Sequence, residues 1–463
     1  MRFRRFFSAF FCAVLLLSLC PSAMAAEDKE LPSIDIQAKA ALLLDQNTGK
    51  IVYAKNEHEE LYPASLTKIM TALLVLRAVD EGKLTMDQSI TASESAFETL
   101  HDDGSSAGIK AGEILTVRQL LQCLLIVSAN EAGTILAEAV SGSVSAFVEE
   151  MNAEAQALGC ENTHFVNPTG LHDPQHYTSA WDLSLIATEA LKYPDFLTIC
   201  DSIKEIIPAT NLSSERVLRT TNYLLDTWRA LGYRYRNAHG IKTGSTSDAG
   251  YCLVSSAEKG ELRFLSVVMG CERVVDASGK ADVKSFSETK RLFEWGFENF
   301  SYKTVQSVND MLASIPVTLS QETNSVVLHP AEDVVVLLPN ALSADDLKRV
   351  IRFERQSVEA PVQAGEVLAE AVLSYGDTEY AAIPLVALND IDASRSLVLL
   401  AQAKAVLAKP IVKIAVILVV GLLLALLIRA LTRNAALAWG VGGVCALAAL
   451  AVYLIDAAKL EGL

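Results

Sequence analysis

Cysteine is scarce in this sequence. Eight occur in 463 residues, and no two stand in C-x-x-C spacing. Cys12 and Cys20 lie in an apolar N-terminal stretch and Cys445 in an apolar C-terminal one. The other five, Cys123, Cys160, Cys200, Cys252 and Cys271, are an odd number. That argues against a zinc site or a full disulfide framework and reads most of them as small buried hydrophobes. Positive charge is also short. Thirty-nine Lys and Arg face 55 Asp and Glu, a net charge of −16. Such a chain repels phosphate, so a nucleic-acid partner is not expected. Seven histidines include no H-E-x-x-H, and there are no internal repeats or low-complexity tracts. What is present is apolar sequence, 51% of the chain, enough to bury a core and to exclude wholesale disorder. A prior of roughly 150 residues per domain suggests two or three domains.

Much of the apolar excess sits at the ends. Arg2, Arg4 and Arg5 precede an apolar run from Phe6 to Leu19, then Pro21 and Ala23-Met24-Ala25. This order describes a secretory signal peptide over residues 1–25, too short for a span. Bulky Leu19 before Cys20 argues against lipoprotein processing. Cleavage after Ala25 would remove three arginines and no acid, taking the charge from −16 to −19. At the other end, Ile411–Ile428 holds a single charge, Lys413, and Ala435–Ile455 holds none. Each matches the hydrocarbon thickness as a helix, so a transmembrane hairpin over 411–428 and 435–455 is expected. Export would place the preceding chain outside and Arg429 and Arg433 of the loop inside. Lys404, Lys409 and Lys413 on the outer side oppose that orientation.

Between the ends, Ala38–Leu44 and Ile51–Tyr53 flank Asn47-Thr48-Gly49, a hairpin signal. Ala64–Val79 has a wide apolar helical face, and Val117–Ala139 reads as one buried helix. Gly250–Ala257 and Leu262–Met269 are strand-like, and Ser285–Phe300 returns to helical spacing. Strands around a helical middle indicate an α+β domain with an antiparallel sheet. Residues 303–390 are rich in Val, Thr, Ser and Leu and read as a small all-β domain, with residues 393–409 as an amphipathic stalk. The expected organisation is 26–300, 301–392, a linker over 393–410, and the two spans.

Four hydrolase-like signals compete. Ser-x-x-Lys occurs at Ser65/Lys68, Ser256/Lys259 and Ser287/Lys290. The second falls at a strand end and the third in a hydrophilic first turn. Ser65 follows Pro63-Ala64 and opens an apolar helix, where i and i+3 share a face. The positive helix N-terminus favours a serine alkoxide, and a buried lysine beside another cation has a lowered pKa and acts as base. Ser-x-Asn occurs at Ser128-Ala129-Asn130, inside an apolar run, and at Ser307-Val308-Asn309, in an exposed-looking segment. Lys242-Thr243-Gly244 occurs once, ends an expected edge strand and is followed by Ser245-Thr246. Lysine and threonine suit a substrate carboxylate, and glycine admits a ligand close to the backbone. Gly104-Ser105-Ser106-Ala107-Gly108 matches G-x-S-x-G, but His101-Asp102-Asp103 before it marks a surface loop rather than a nucleophile elbow. His172-Asp173-Pro174-Gln175-His176 reads as a loop rather than a metal site, because of Pro174.

Order decides among them. Ser65-x-x-Lys68, then Ser128-x-Asn130, then Lys242-Thr243-Gly244 is the arrangement of penicillin-recognising serine enzymes. The sequence resembles the serine-type D-alanyl-D-alanine carboxypeptidases, the low-molecular-mass penicillin-binding proteins. Pro63–Thr71, Gly104–Val117, Asn167–Leu171, Thr178–Ala187, Gly240–Thr246 and Glu294–Phe297 carry the likeness. It covers residues 35–300 strongly and the β-domain more weakly. Glu131 replaces the aspartate often found after Ser-x-Asn, and a two-span tail replaces the usual single anchor.

The resemblance implies a β-lactamase/transpeptidase-like domain and roles for its residues. Ser65 attacks the carbonyl between two D-alanines of a peptidoglycan stem peptide, and Lys68 takes its proton. Ser128 and Asn130 relay the proton and hold the substrate amide. Lys242 and Thr243 bind the terminal carboxylate beside Gly244, and the backbone N–H groups of Ser65 and Ser245 form the oxyanion hole. Water then releases the acyl group. No metal or organic cofactor is implied. β-Lactams are expected as covalent inhibitors, and the outer face of the cytoplasmic membrane as the location. A class A β-lactamase would carry a deacylating E-x-x-L-N pattern, which is absent. A non-catalytic wall-binding module would not need every motif residue. A peptidoglycan endopeptidase, cutting a related bond with the same residues, stays open.

Overall fold

The structure is a computed structural model. It describes residues 29–461 apart from 99, 101–103, 230–231 and 433–434. The expected signal peptide, His101–Asp103 and Arg433 lie outside the described residues. Two compact units emerge: one runs through Tyr302 and takes in Leu338–Leu342, and the other comprises Lys303–Leu337 and Ser343–Leu463.

The first unit is built on a five-stranded antiparallel sheet. Its strands are β1 (Ala40–Asp45), β2 (Ile51–Lys55), β3 (Ala238–Thr246), β4 (Gly250–Lys259) and β5 (Leu262–Cys271), in the order β2-β1-β5-β4-β3. All six residues of β1 are buried. Such a run marks a strand covered on both faces. On one face Leu42, Leu44, Val254, Leu265 and Val267 join a helical cluster. Its helices include α1 (Lys68–Asp80), α2 (Val117–Ile126), α3 (Asn130–Ser141), α4 (Ala180–Ala190) and α5 (Pro194–Cys200). On the other face lies α6 (Lys284–Asn299), whose Phe297 ring packs 5.0 Å from that of Phe264. A hairpin of β6 (Arg273–Val275) and β7 (Ala281–Val283) leads into α6. Ser89–Thr91 with Ile114–Thr116, and Lys204–Ile207 with Arg216–Arg219, form two short ribbons. This is the α+β antiparallel architecture read from the sequence.

One expectation is corrected. Val117–Ala139 is not a single helix. It breaks after Ile126, and Ser128 sits in the left-handed region at φ 65°. No Gly or Pro forces the break, so sequence periodicity does not reveal it. The break is held by a local bond, Ala129 N–H to Cys123 O at 3.0 Å, and by a tertiary one, Asn130 N–H to Ser105 O at 2.8 Å.

The second unit contains a six-stranded sheet. Its strands are β8 (Ala313–Thr318), β9 (Ser325–Pro330), β10 (Lys348–Phe353), β11 (Val358–Glu359), β12 (Val367–Tyr375) and β13 (Thr378–Ala387), ordered β10-β12-β13-β9-β8-β11. Ile315 and Val317 alternate inward along β8, and Val326 and Leu328 along β9, the pattern of a sheet with one wet face. After it come α7 (Arg395–Ala408), α8 (Pro410–Thr432) and α9 (Ala435–Glu461). No residue of α7 is buried. Pro410–Leu431 and Trp439–Asp456 are long and apolar enough to cross a membrane, with mean hydropathies of 3.2 and 1.7. Lys413 and Asp456 pair at 3.0 Å between α8 and α9.

The segment Asn167–Leu171 supports the turn before α1. Asn167 Oδ1 accepts from the N–H of Thr169 and of Gly170 at 3.1 and 2.7 Å. Thr71 Oγ1 donates to Pro168 O at 2.6 Å. Gly170 has φ +80°, and a Cβ there would collide with the Ala64 carbonyl. Gly170→Ala therefore combines backbone strain with a clash, and should destabilise the first unit by about 3 kcal/mol. Thermal unfolding should show a midpoint about 5–10 °C lower. An unchanged midpoint would show that the turn yields freely.

Candidate active site

Pro63 leads into a single 3₁₀ turn, Ala64–Thr67, from which α1 continues. That turn presents Ser65. Its foundation is polar and buried. Val166 N–H donates to His176 Nδ1 at 3.2 Å, so Nε2 carries the proton. His176 Nε2 then donates to Thr67 Oγ1 at 2.8 Å, and Thr67 Oγ1 donates to Ala64 O at 2.9 Å. Burial pushes the His176 pKa down to about 4, so the ring is neutral near pH 7. His176 thus supports the turn that presents Ser65.

Lys68, the first residue of α1, is fully buried. Its Nζ lies 2.9 Å from Ser65 Oγ, 2.8 Å from Asn130 Oδ1 and 2.7 Å from Thr169 O. Burial holds its pKa well below the usual lysine range, and nearby Lys242 lowers it further, against the opposing pull of Glu131. The three contacts are chemically unequal. Asn130 Oδ1 and Thr169 O only accept, so they take two N–H bonds in either protonation state. The Ser65 contact alone reverses: an ammonium donates to Oγ, whereas a neutral amine accepts the hydroxyl proton. The arrangement therefore couples the Lys68 proton to the Ser65 hydroxyl.

Ser128 is buried with its Oγ unpaired. A buried hydroxyl without a partner is costly, and here it borders a cavity of about 340 Å³. Ser65, Ser105, Ser128, Thr221, Tyr223, Thr243, Gly244, Ser245, Tyr251 and Arg273 line that cavity. The edge strand β3 closes one side. A Cβ on Gly244 would stand 3.1 Å from the N atoms of Ser65 and Leu66 and 2.9 Å from Pro63 O, so a side chain would push the strand off the turn.

The eight residues singled out in the sequence are thus distributed unequally. Ser65, Ser128, Thr243, Gly244 and Ser245 border the cavity. Lys68 and Asn130 stand behind Ser65. Lys242 is 1% exposed and does not reach the cavity surface; its Nζ donates to Thr243 O at 2.8 Å. Burial brings its pKa down to about 7.

Several contributors carry no motif. Arg273 is an exposed cation on the cavity lining. Thr221 Oγ1 bonds Thr243 Oγ1 at 2.6 Å. The Gly104–Gly108 loop is no elbow, yet it brings Ser105 to the cavity. Buried Glu131 holds it there, accepting from Ser106 Oγ and Ala107 N–H, both at 2.7 Å. Only the oddity of Glu131 after Ser-x-Asn signalled this. The decoys lie elsewhere. Ser287 and Lys290 line a larger cleft of about 800 Å³. There Lys284 pairs with Asp282 at 3.0 Å. Ser307 Oγ donates to Asp333 in the second unit, and Ser256 Oγ donates to His239 O at 3.2 Å.

Comparison with known proteins agrees with this chemistry. A family described as D-alanyl-D-alanine carboxypeptidase matches residues 24–273, and one described as the C-terminal domain of penicillin-binding protein 5 matches residues 300–393. The D-alanyl-D-alanine carboxypeptidase DacF of Bacillus subtilis is 32% identical over 389 residues, 84% of this chain and 95% of that protein. DacA of Haemophilus influenzae is 31% identical over 81% of this chain and 91% of its own length. The crystal structure of penicillin-binding protein 5 from Haemophilus influenzae superposes with a TM-score of 0.62 at 31% identity, covering 78% of this chain and all of that one. A serine bonded to a buried lysine, a broken helix carrying Ser-x-Asn and a Lys-Thr-Gly edge strand are thus found in a chain that belongs to the D-alanyl-D-alanine carboxypeptidase family of penicillin-binding proteins.

Proposed function

We propose that Ser65 removes the terminal D-alanine of peptidoglycan stem peptides through an acyl-enzyme, with Lys68 as its base. The observation that carries this reading is the 2.9 Å contact between Lys68 Nζ and Ser65 Oγ at a fully buried lysine. Neutral Lys68 accepts the hydroxyl proton as Oγ attacks the carbonyl of the penultimate D-alanine. The N–H groups of Ser65 and Ser245 meet the developing oxyanion. Ser128, unpaired at rest, passes the proton to the leaving nitrogen, and Asn130 fixes the substrate amide. D-Alanine departs, and water cleaves the ester with the same groups reversed. β-Lactams acylate the same serine.

The carboxylate is met by Thr243 and by Arg273, the cation on the cavity lining. Lys242 contributes its charge from behind the wall. On the same reading residues 26–300 form the catalytic domain, 301–392 the β-domain and 393–410 the stalk. The chain is exported, and residues 411–428 and 435–455 anchor it at the outer face of the membrane.

Labelled penicillin should acylate the intact protein, and Ser65→Ala should lose labelling by at least about 10³-fold. Label retained on Ser65→Ala would remove the serine from this role. Mass spectrometry should detect free D-alanine from a pentapeptide stem, whereas cleavage confined to crosslinked dimers would identify an endopeptidase. The rate should fall on the acid side as Lys68 takes up a proton. The KM for the peptide should rise above pH about 7 as Lys242 loses its charge. A flat acid limb would take the base role from Lys68. Arg273→Ala should raise KM by about 10- to 100-fold with little change in kcat, the value of a charge-assisted contact. A change confined to kcat would place Arg273 elsewhere in the mechanism.

A further inference from the structure

Residues 303–392 hold fourteen acidic and five basic side chains, and four of those five fall between Lys348 and Arg355. They are Lys348, Arg349, Arg352 and Arg355, with a single acid, Glu354, among them. Three lie on β10, an edge strand of the six-stranded sheet. Val350 and Phe353 on the same strand are 41% and 44% exposed. Arg352 reaches Glu370 only at 3.6 Å, with both side chains about half exposed.

Register places this cluster. Phe353 pairs with Ala369, which pairs with Leu385, and β13 ends two residues later at Ala387. From that end of the sheet the chain leaves toward α7. Ser394 N–H donates to Leu319 O at 2.7 Å, and Gln321 Nε2 donates to Ser396 Oγ at 3.1 Å, tying the start of α7 to the same end. A hollow of about 300 Å³ there is lined by Pro316, Phe353 and Arg355. α7 has 14 residues, about 21 Å of helix, before α8 begins. The basic end of the sheet is therefore tethered close to any bilayer that α8 and α9 enter.

We propose that Lys348–Arg355 is a docking surface for the anionic phospholipid headgroups of the membrane that holds α8 and α9. The inference rests on the reading of those helices as the anchor. Side chains alternate across a strand, so Arg349 and Phe353 fall on one face of β10 and Lys348, Val350 and Arg352 on the other. Cations on both faces suit a diffuse layer of headgroups, with Val350 and Phe353 entering its apolar margin. A protein strand adding to β10 would meet an edge of one charge, which discourages pairing. Simple protection of the edge would be served equally by acids, which otherwise dominate this region.

The test uses the full chain in lipid nanodiscs, phosphatidylcholine alone or mixed with phosphatidylglycerol, with hydrogen exchange read over residues 348–355. Exchange should slow by about 5-fold or more in the anionic discs and recover in about 0.5 M salt. A K348E/R349E/R352E/R355E chain should lose the protection while keeping penicillin labelling, which reports a folded first unit. Equal exchange in both lipids would overturn the proposal. Protection independent of lipid and salt would mean that a protein covers the strand, and would overturn it too. A chain washed from both discs by alkaline carbonate removes the anchor reading itself, whereas an anchored chain with lipid-independent exchange removes only the docking surface.

Discussion

A lysine buried without acceptors would be driven out or neutralised, and Lys68 is buried completely. Its three contacts come from the turn before α1, from the start of α3 and from Thr169, which lies 101 residues further along the chain. The helical cluster must assemble for any two of them to meet. Once assembled, it has little freedom. Two acceptors fix two N–H bonds, so the remaining position on Nζ can only face Ser65. Nearby Lys242 and the low polarity around Nζ both favour the neutral form, whose lone pair then points at the hydroxyl. The polar contacts that make the burial tolerable are also the ones that aim Nζ at Ser65.

The same economy explains the distorted backbone around the cavity. Ser128 holds φ 65° in the middle of what would otherwise be a continuous apolar helix. Left-handed serine is uncommon and costs about 1–3 kcal/mol. The distortion ends α2, lets Asn130 begin α3 facing Lys68, and leaves the Ser128 hydroxyl at the cavity without a partner. On the opposite side, Gly244 lets β3 approach the N atoms of Ser65 and Leu66. The cavity is as narrow as it is because one wall lacks a side chain and the other is locally strained.

Much of this is legible in the sequence. The Ser-x-x-Lys, Ser-x-Asn and Lys-Thr-Gly motifs stand out by order, and the sheet and the apolar tail follow from periodicity and run length. What periodicity could not supply is the break at Ser128, because Val127 and Ala129 have no conformational signature and the bonds that hold the break come from Ser105 and Cys123. Arg273 and Thr221 belong to no motif; the β6–β7 hairpin brings the first to the site and a hydroxyl contact with Thr243 the second. The Gly104–Gly108 loop is surface, as its composition reads, but composition does not show that buried Glu131 holds it beside the cavity. Lys242 is legible as functional but not as enclosed, since an edge strand does not announce which neighbour will cover it. In each case the missing information is tertiary.

Net charge is the property that sequence reports most directly and that this protein uses least directly. A chain at −16 would repel a substrate that ends in a carboxylate if its charge were spread evenly. Screening confines each exposed charge to about 8 Å at physiological salt, so the total matters less than the nearest cations. At the cavity those are exposed Arg273 on the lining and buried Lys242 just behind it, where low polarity strengthens the lysine's field. Glu131 is the nearby acid that Lys68 feels, and its Oε1 is engaged by Ser106 and Ala107. Acidity elsewhere on the surface therefore says little about the field at the cavity, which is set by the cations nearest to it.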